Sequence, residues 1–337
     1  MNTKLNQKTV VQVEKNEQPI INTTTPNDDV DAIEEDQKKG LKKLDDILNK
    51  KVKVSKQKIF VIINSNKGGS GKSFFATAYG NKLRTDWKVS SAFFDADGSV
   101  GSFAIAFSKR DKDGKIIPGV APEEAVTFYD IRQKNDEEGK LGRGAFINSL
   151  ASDADVILHD MAGGSLHELK SILDEDGTDM DAIIDTIESY GRKIVVCNVI
   201  DAGMASTSSV GDSIRAFGHH AEYVTVLNCR EGSKESDFPY WFGYQPSSGG
   251  ETKGGKVRKR SIEEFNAVEL KLPALNASTR AKLEAEQISY SNYQESSILT
   301  IQEKGQVNQF LKKFNESLES SGAEDILGHQ FTDEVVG

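Results

Sequence analysis

Residues 59–75 read Ile-Phe-Val-Ile-Ile-Asn-Ser-Asn-Lys-Gly-Gly-Ser-Gly-Lys-Ser-Phe-Phe. The first five residues are apolar and mostly β-branched, which predicts a buried strand. A glycine-rich turn follows, and a helix-like segment comes after it, which is the order that a phosphate-binding loop needs. Glycines let such a loop curl and turn its N–H groups inward, and the N-terminus of the next helix attracts an anion. The stretch therefore predicts a phosphate site.

Two side chains of this loop have the chemistry to complete the site. Lys72 is placed to reach the β- and γ-phosphates of a nucleotide, and Ser73 to offer its hydroxyl to Mg²⁺. The ordinary pattern G-x-x-x-x-G-K-[ST] would put glycine where this chain has Asn66. The string Lys67–Ser73 instead resembles the deviant Walker A motif, KGGxGK[ST], of the MinD/ParA family of dimerising P-loop ATPases. A flexible turn with two solvated lysines is the alternative, which the flanking strand and helix disfavour.

The resemblance implies ATP and Mg²⁺ as cofactors and a homodimer in the presence of ATP. It implies that Lys72 serves the phosphates of its own subunit, whereas Lys67 reaches across to the phosphates of the partner as a catalytic group. The nucleotide-binding residues implied by the motif share one continuous loop: Lys67, Gly68, Gly69, Ser70, Gly71, Lys72, Ser73 and Phe74.

Two later segments end in carboxylates. Residues 89–95 and 154–160 are predicted strands, and they are followed by Asp97 and closed by Asp160, respectively. The carboxyl ends of parallel strands are where ligands bind in α/β sheets, so Asp95 and Asp97 are expected to face the phosphates. The resemblance implies that Asp97 positions or activates the attacking water. It also implies that Asp160 is the Walker B residue, which holds Mg²⁺ together with Ser73.

The chain departs from the family pattern at both of these places. Gly98-Ser99 stands where the family often has Pro-Gln, and Met161 stands where a hydroxyl is expected. An Asp–Gly turn and a helix N-cap are the structural alternatives for the two aspartates.

The predicted strand Glu222–Asn228 ends in Asn228, which by resemblance reads the adenine edge. Arg230 is a candidate for stacking or for the ribose, and an ordinary strand-ending turn is the alternative for this Asn.

The net charge of the chain bears on whether it binds nucleic acid. The 337 residues carry a formal net charge of −10, with a pI near 5.2, which disfavours binding to nucleic acid through overall charge. A DNA contact would need a local basic patch, for which a solvated loop is an equal alternative. The one dense basic cluster comprises Lys253, Lys256, Arg258, Lys259 and Arg260. Cys197 and Cys229 form no CxxC, no signal peptide is evident, and no apolar run has membrane-span length, which together predict a cytoplasmic protein.

Apolar runs that alternate with helical segments predict an α/β fold, with a doubly wound, mostly parallel sheet flanked by helices. The predicted P-loop domain spans residues 57–319, and its last strand is predicted at residues 268–272. Residues 1–56 are predicted to be a disordered tail with a possible amphipathic helix, and residues 320–337 a flexible C-terminal tail. Residues 109–141 are interpreted as an insertion without an assigned role, in which the short apolar run 126–131 could be an edge strand.

The resemblance is greater to the partition and conjugation-associated group than to MinD, because Ser320–Gly337 is acidic rather than a basic amphipathic membrane helix. It implies a ParA-like ATPase with weak basal hydrolysis. Such a protein acts as an ATP-dependent dimeric switch in DNA or plasmid partitioning, positioning or conjugative transfer, working through a protein adaptor. The alternative is a nucleotide-gated scaffold that hydrolyses little ATP and recruits a protein partner.

Overall fold

A computed structural model describes residues 56–332 except 98–101, 110, 114, 116, 118–119, 132–143, 165 and 167–178. In this part of the chain, seven strands form one sheet in which every pairing is parallel, in the order β3-β2-β4-β1-β5-β6-β7. The strands are β1 (Lys58–Asn64), β2 (Ser91–Asp95), β3 (Val126–Phe128), β4 (Val156–Asp160), β5 (Arg192–Ile200), β6 (Ala221–Asn228) and β7 (Val268–Leu272). The prediction of a doubly wound α/β fold is confirmed.

The first strand lies in the middle of the sheet. β1 pairs with β4 on one side and with β5 on the other, and Ile59 to Asn64 are buried. A parallel strand in this position is covered by helices on both faces, which is why it reads as an unbroken apolar run. The loop that follows β1 is therefore held at the centre of the carboxyl edge of the sheet.

Helices cover both faces of the sheet. The helices used below are α1 (Lys72–Asn81, continued by a π-helical turn Lys82–Asp86), α2 (Ser102–Phe107), α3 (Met180–Ser189), α4 (Met204–Phe217), α5 (Pro239–Phe242), α6 (Lys256–Phe265), α7 (Ala277–Ala285), α8 (Ile301–Ser321) and α9 (Ala323–Ile326). Alternate residues of β1 point to opposite faces, so Val61 belongs to the core that contains α1 and α8, and Ile62 to the core that contains α3 and α4.

The C-terminal segment belongs to the core. Ala323 and Leu327 are fully buried, and the hydroxyl of Tyr79 on α1 donates a hydrogen bond to the carbonyl oxygen of Leu327 at 2.5 Å. The prediction of a loose tail from residue 320 is therefore wrong for residues 320–332. Few apolar residues mark this segment, and those few are packed into the core that contains α1 and α8. The predicted tail and helix within residues 1–55 lie outside the described residues.

The predicted insertion between residues 109 and 141 contributes the edge of the sheet, because β3 lies within it and pairs with β2. This edge strand agrees with the short apolar run at residues 126–131. Among the described residues, no helix is both long enough and apolar enough to span a bilayer.

If the segment after α8 is part of the core, Leu327→Ala should lower the free energy of unfolding by about 2–4 kcal/mol, the usual cost of truncating a buried leucine. Ile301→Ala is the control, because that side chain is 92% exposed, and its effect should stay within about 0.5 kcal/mol. Urea denaturation followed by circular dichroism measures both. Equal midpoints for the two variants would contradict the packing described here.

Candidate functional site

The glycine-rich loop between β1 and α1 forms a tight backbone cradle. Gly69 and Gly71 have φ angles of +73° and +103°, in the left-handed region that side chains rarely adopt. α1 begins at Lys72, directly after Gly71, and the N–H of Phe75 donates to the carbonyl oxygen of Gly71 at 2.9 Å. Because the first N–H groups of a helix have no partner within it, the cradle presents donors and a positive dipole end to an anion.

The end of β6 fixes this cradle. The side-chain amide of Asn228 donates to the carbonyl oxygen of Ser70 at 2.7 Å, and its oxygen accepts from the N–H of Arg230 at 3.1 Å. A Cβ on Gly71 would lie only 2.3 Å from the amide nitrogen of Asn228, so glycine is needed there for steric reasons as well. Asn228 is thus a brace of the loop. Its predicted contact with adenine would use the second amide hydrogen or the second lone pair of the amide oxygen, and that role stays a prediction.

Two carboxylates meet behind the loop, at the ends of neighbouring strands. Asp95 on β2 and Asp160 on β4 are register partners, and both are buried. Burial raises the pKa of Asp160 well above its ordinary value, and the negative charge of Asp95 adds to this, whereas a hydrogen bond with Ser73 and the charge of Lys72 oppose it. The positive charge of the buried Lys72 thus partly offsets the repulsion within this pair.

Contrary to the expectation from the sequence, the carboxylate of Asp95 does not face the phosphate site but binds backbone N–H groups inside the protein. Its two carboxylate oxygens accept from the N–H of Asp97 at 3.0 Å and from the N–H of Ala104 at 2.9 Å, so it braces the connection from β2 to α2. Burial raises the pKa of Asp95 to about 6, although these two hydrogen bonds act against the shift. The expectation that Asp95 faces the phosphates is wrong, because the side chain is turned into the protein.

The donor set at Ser73 and Asp160 fits a magnesium ion. Their side chains are hydrogen-bonded to each other, and Oδ1 of Asp160 is buried without a hydrogen-bond partner among the described residues. Mg²⁺ in nucleotide sites takes one or two protein oxygens and completes its shell with phosphates and water. Within the described ranges, no group of three or more His, Cys, Asp or Glu side chains could hold a metal without such help.

A cavity of about 1080 Å³ opens in front of the loop. The half-buried Asp97 and the exposed Arg230 line it, and Met161 forms part of its wall. The roles in water activation and nucleoside binding stay predictions. Arg280 on α7 also lines the cavity, 5.5 Å above the ring of Phe74. No local signal in the sequence marks Arg280, because α7 reaches the loop only through the fold.

Lys67 is bound within its own chain. Its ammonium lies 2.6 Å from Oδ2 of Asp201, at the end of β5, and the Lys67 side chain is still 45% exposed. Asp201 also accepts from Ser206 Oγ at 2.7 Å and from the N–H of Gly203 at 2.8 Å. Burial acts to raise the pKa of Asp201, but these three donors outweigh it and the pKa is lowered, so this carboxylate is ionised at neutral pH. Sequence reasoning missed Asp201.

Comparison with solved structures finds similar chains of low identity. The septum site-determining protein MinD of Pyrococcus horikoshii, complexed with Mg-ADP, is 15% identical, with 80% of this chain and 98% of that chain covered and a TM-score of 0.43. An aspartate-to-alanine variant of McdA of Cyanothece, complexed with ATP, is 11% identical, with coverages of 79% and 97% and a TM-score of 0.41. A nucleotide-binding protein of Archaeoglobus fulgidus, complexed with ADP, is 14% identical, with coverages of 68% and 86% and a TM-score of 0.36.

No protein-family model matches the sequence, and no curated protein is significantly similar to it. The three solved structures named above are 11–15% identical to this chain, and their TM-scores are between 0.36 and 0.43. At such low identities and TM-scores, they assign no activity to this chain.

Gly71→Ala tests the brace between the loop and β6. The new Cβ would force a strained φ angle and collide with the Asn228 amide, so unfolding should become easier by about 1–3 kcal/mol. Gly68→Ala is the matched control, because a Cβ there meets nothing within 4 Å and the φ angle is not positive. Thermal unfolding without nucleotide measures both variants. Equal destabilisation by the two would show that Asn228 does not close on the loop.

Proposed function

We propose that this chain is a Mg²⁺-dependent, ATP-binding P-loop protein with weak hydrolysis, which acts as a dimeric switch. One observation carries the proposal: the left-handed glycine cradle at the start of α1 adjoins a buried lysine, Lys72, and a buried Asp160 oxygen that no described donor reaches. A divalent cation would supply what this oxygen lacks, and the cradle would receive a triphosphate. The proposed cofactors follow from this geometry and from the motif.

Each part of the site has a distinct task in binding. The loop N–H groups and the dipole of α1 receive the phosphate oxygens, and Lys72 balances the charge of the β- and γ-phosphates. Ser73 and Asp160 hold the metal ion, which when bound neutralises charge that develops on the transferred phosphoryl group. Asp97 stands at the rim of the cavity, where its carboxylate can orient an attacking water. Arg280 and Arg230 flank the space beside Phe74.

Lys67 gives the proposed switch its two positions. In the single subunit it is paired with Asp201, at 2.6 Å. In the proposed dimer it leaves Asp201 and extends to the phosphates of the partner subunit, where it stabilises negative charge during phosphoryl transfer. The Lys67 side chain is half exposed, so its ammonium can leave through water, and the buried Asp201 keeps its hydrogen bonds from Ser206 and Gly203 when the lysine leaves.

The biological task in this proposal is positioning or partitioning of a cargo through a protein adaptor. DNA bound directly by the basic cluster is less well supported, because three of its five cations already have carboxylate partners: Arg258 with Glu269, Lys259 with Glu263, and Arg260 with Glu264. Four of the five cations also lie in the helix α6 and not in the loop that the glycines suggested, whereas Lys253 precedes this helix. The buried, free thiols of Cys197 and Cys229 support a reducing, cytoplasmic setting.

The alternative function, a nucleotide-gated scaffold with little hydrolysis, is favoured by one observation. The Lys67–Asp201 pair keeps the lysine in its own subunit, and a scaffold would simply keep it there. The measurements below separate the two functions.

Lys72→Ala should lower the affinity for ATP by about 100-fold, because roughly 3 kcal/mol of charge-assisted hydrogen bonding to the phosphates is lost. Lys259→Ala is the control: it also removes one cation, but from a side chain that is 73% exposed and outside the cavity. Isothermal titration of ATP with and without Mg²⁺ measures both variants. Unchanged affinity in Lys72→Ala would refute the phosphate site.

Two single substitutions should separate dimerisation from turnover. Lys67→Ala should still bind ATP, since Lys72 and the loop remain, but it should lose ATP-dependent dimerisation and hydrolysis together.

Asp97→Ala should dimerise in ATP and hydrolyse at least about tenfold more slowly, a conservative loss for a residue that acts as a general base. Light scattering in ATP and in ADP, together with phosphate release, measures these properties. A Lys67→Ala protein that dimerises and turns over normally would rule out the exchange of Lys67 between subunits, and a wild type that dimerises without hydrolysis would favour the scaffold.

A further inference from the structure

A second concave surface lies on the side of the molecule formed by α4, α5 and α6. It is a groove of about 780 Å³ that shares no residue with the cavity in front of the loop. We call it the α4–α6 groove. The lining residues that matter below are Met204, Tyr240, Tyr244, Lys253, Gly254 and Lys256.

The wall of this groove has a defined structure. Tyr244 and Lys253 exchange backbone hydrogen bonds of 2.8 and 2.9 Å, so the Gly/Ser-rich segment between them is closed as a hairpin. The N–H of Gly255 donates to the carbonyl oxygen of Tyr240 at 3.1 Å. A Cβ on Gly254 would lie 2.7 Å from the carbonyl oxygen of Pro239, so the hairpin packs closely against α5. The groove is therefore built into the fold.

The charge of the groove is positive and is not compensated within the part of the chain that the structure describes. Lys253 and Lys256 are exposed, and neither side chain has a hydrogen-bond or ion-pair partner among these residues. The other three cations of the basic cluster are all paired with carboxylates. The two unpaired lysines of the cluster are thus the two that line the groove.

The same surface exposes apolar groups that a folded chain would ordinarily cover. Met204 is 64% exposed and Tyr244 is 38% exposed, although both are large hydrophobic residues. The rings of Tyr240 and Tyr244 meet edge to face, with centroids 6.1 Å apart. A thioether and two tyrosines adapt well to an inserted side chain, because methionine is flexible and tyrosine offers a broad apolar face at low entropic cost.

We propose that the α4–α6 groove binds a short acidic segment of a partner protein, with an aromatic or aliphatic residue inserted between Met204 and Tyr244. Carboxylates of the segment would pair with Lys253 and Lys256, and the apolar residue would supply most of the buried area. Nucleic acid fits less well, because a phosphate chain needs a continuous row of free cations. In the described part of the chain, only two cations of the basic cluster lack a carboxylate partner, which is too few for such a row.

The position of the groove links it to the candidate nucleotide site without depending on it. Met204 directly follows Gly203, whose N–H donates to Asp201, the partner of Lys67. A bound segment would therefore lie beside this pair. Binding of the segment itself requires no nucleotide, so its test can be done in the absence of ATP, and failure of the proposed ATPase function would not affect the result.

The proposal can be tested by selecting peptides that bind the full-length protein, without nucleotide, from a random library of 12-residue peptides displayed on phage. A parallel selection uses Lys253→Glu/Lys256→Glu. The matched control is Lys312→Glu/Lys313→Glu, which makes the same change in net charge on exposed residues of α8, a helix packed on the opposite core. Peptides enriched on the wild type should contain an excess of Asp and Glu and at least one aromatic or large aliphatic residue. Their affinity should fall by about tenfold or more in the groove variant and less than about twofold in the control.

Tyr244→Ser provides a second variant that leaves the charges intact, should the double reversal not fold as judged by circular dichroism. This substitution should also lower the affinity of the selected peptides.

A labelled 20-nucleotide single-stranded DNA is titrated in parallel. The proposal is overturned if no peptide is enriched, if the enriched peptides lack acidic residues, or if the groove variants bind them like the control. DNA binding that is lost in the groove variants, with no acidic peptide selected, would make this a nucleic-acid surface instead.

Discussion

The arrangement at the carboxyl edge of the sheet depends on how buried charge is balanced there. Parallel pairing places Asp95 and Asp160 side by side at the ends of β2 and β4, where burial raises the pKa of both. Two buried carboxylates repel each other, and an uncompensated one is costly. The positive charge of Lys72, at the N-terminus of α1, acts on both. The attraction between Lys72 and these two carboxylates therefore holds the start of α1 close to the ends of β2 and β4. It also holds the glycine loop there, because the loop leads directly into α1.

Much of the fold could be predicted because a parallel sheet imposes a simple pattern on the sequence. Strands covered on both faces, such as β1, are continuous apolar runs. The edge strand β7, whose apolar and charged residues alternate, has the predicted limits, Val268–Leu272. The order of residues in the loop likewise specifies its local geometry, since Gly69 and Gly71 adopt the positive φ angles that other residues avoid. These features are local, and short stretches of sequence suffice to specify them.

The features that could not be predicted come from contacts between distant segments. Nothing near Asp201 indicates that it receives the ammonium of Lys67, and nothing near Leu327 indicates that Tyr79 binds its carbonyl oxygen. The expectation for Asp95 is wrong for a related reason. A carboxylate at a strand end can face the ligand or turn inward, and here the N–H of Ala104, on a helix whose position the sequence does not specify, holds it inward. Charge clusters also mislead, because the carboxylate partners of the α6 cations are revealed only in the folded chain.

One helix connects the loop, the lysine pair and the groove. Inside the protein, Asn64 at the end of β1 donates to Ser213 Oγ at 3.1 Å, and Ser213 in turn donates to Asn198 at 2.7 Å. Asn66 in the loop bonds to Asp212, one residue away on the same helix, α4. α4 begins at Met204 in the wall of the groove, just after the turn that holds Asp201. The contacts of α4 with β1, β5 and the loop are thus directional hydrogen bonds. Because α4 begins between the Lys67–Asp201 pair and the groove, movement of Lys67 and binding of a ligand in the groove would both act on this helix.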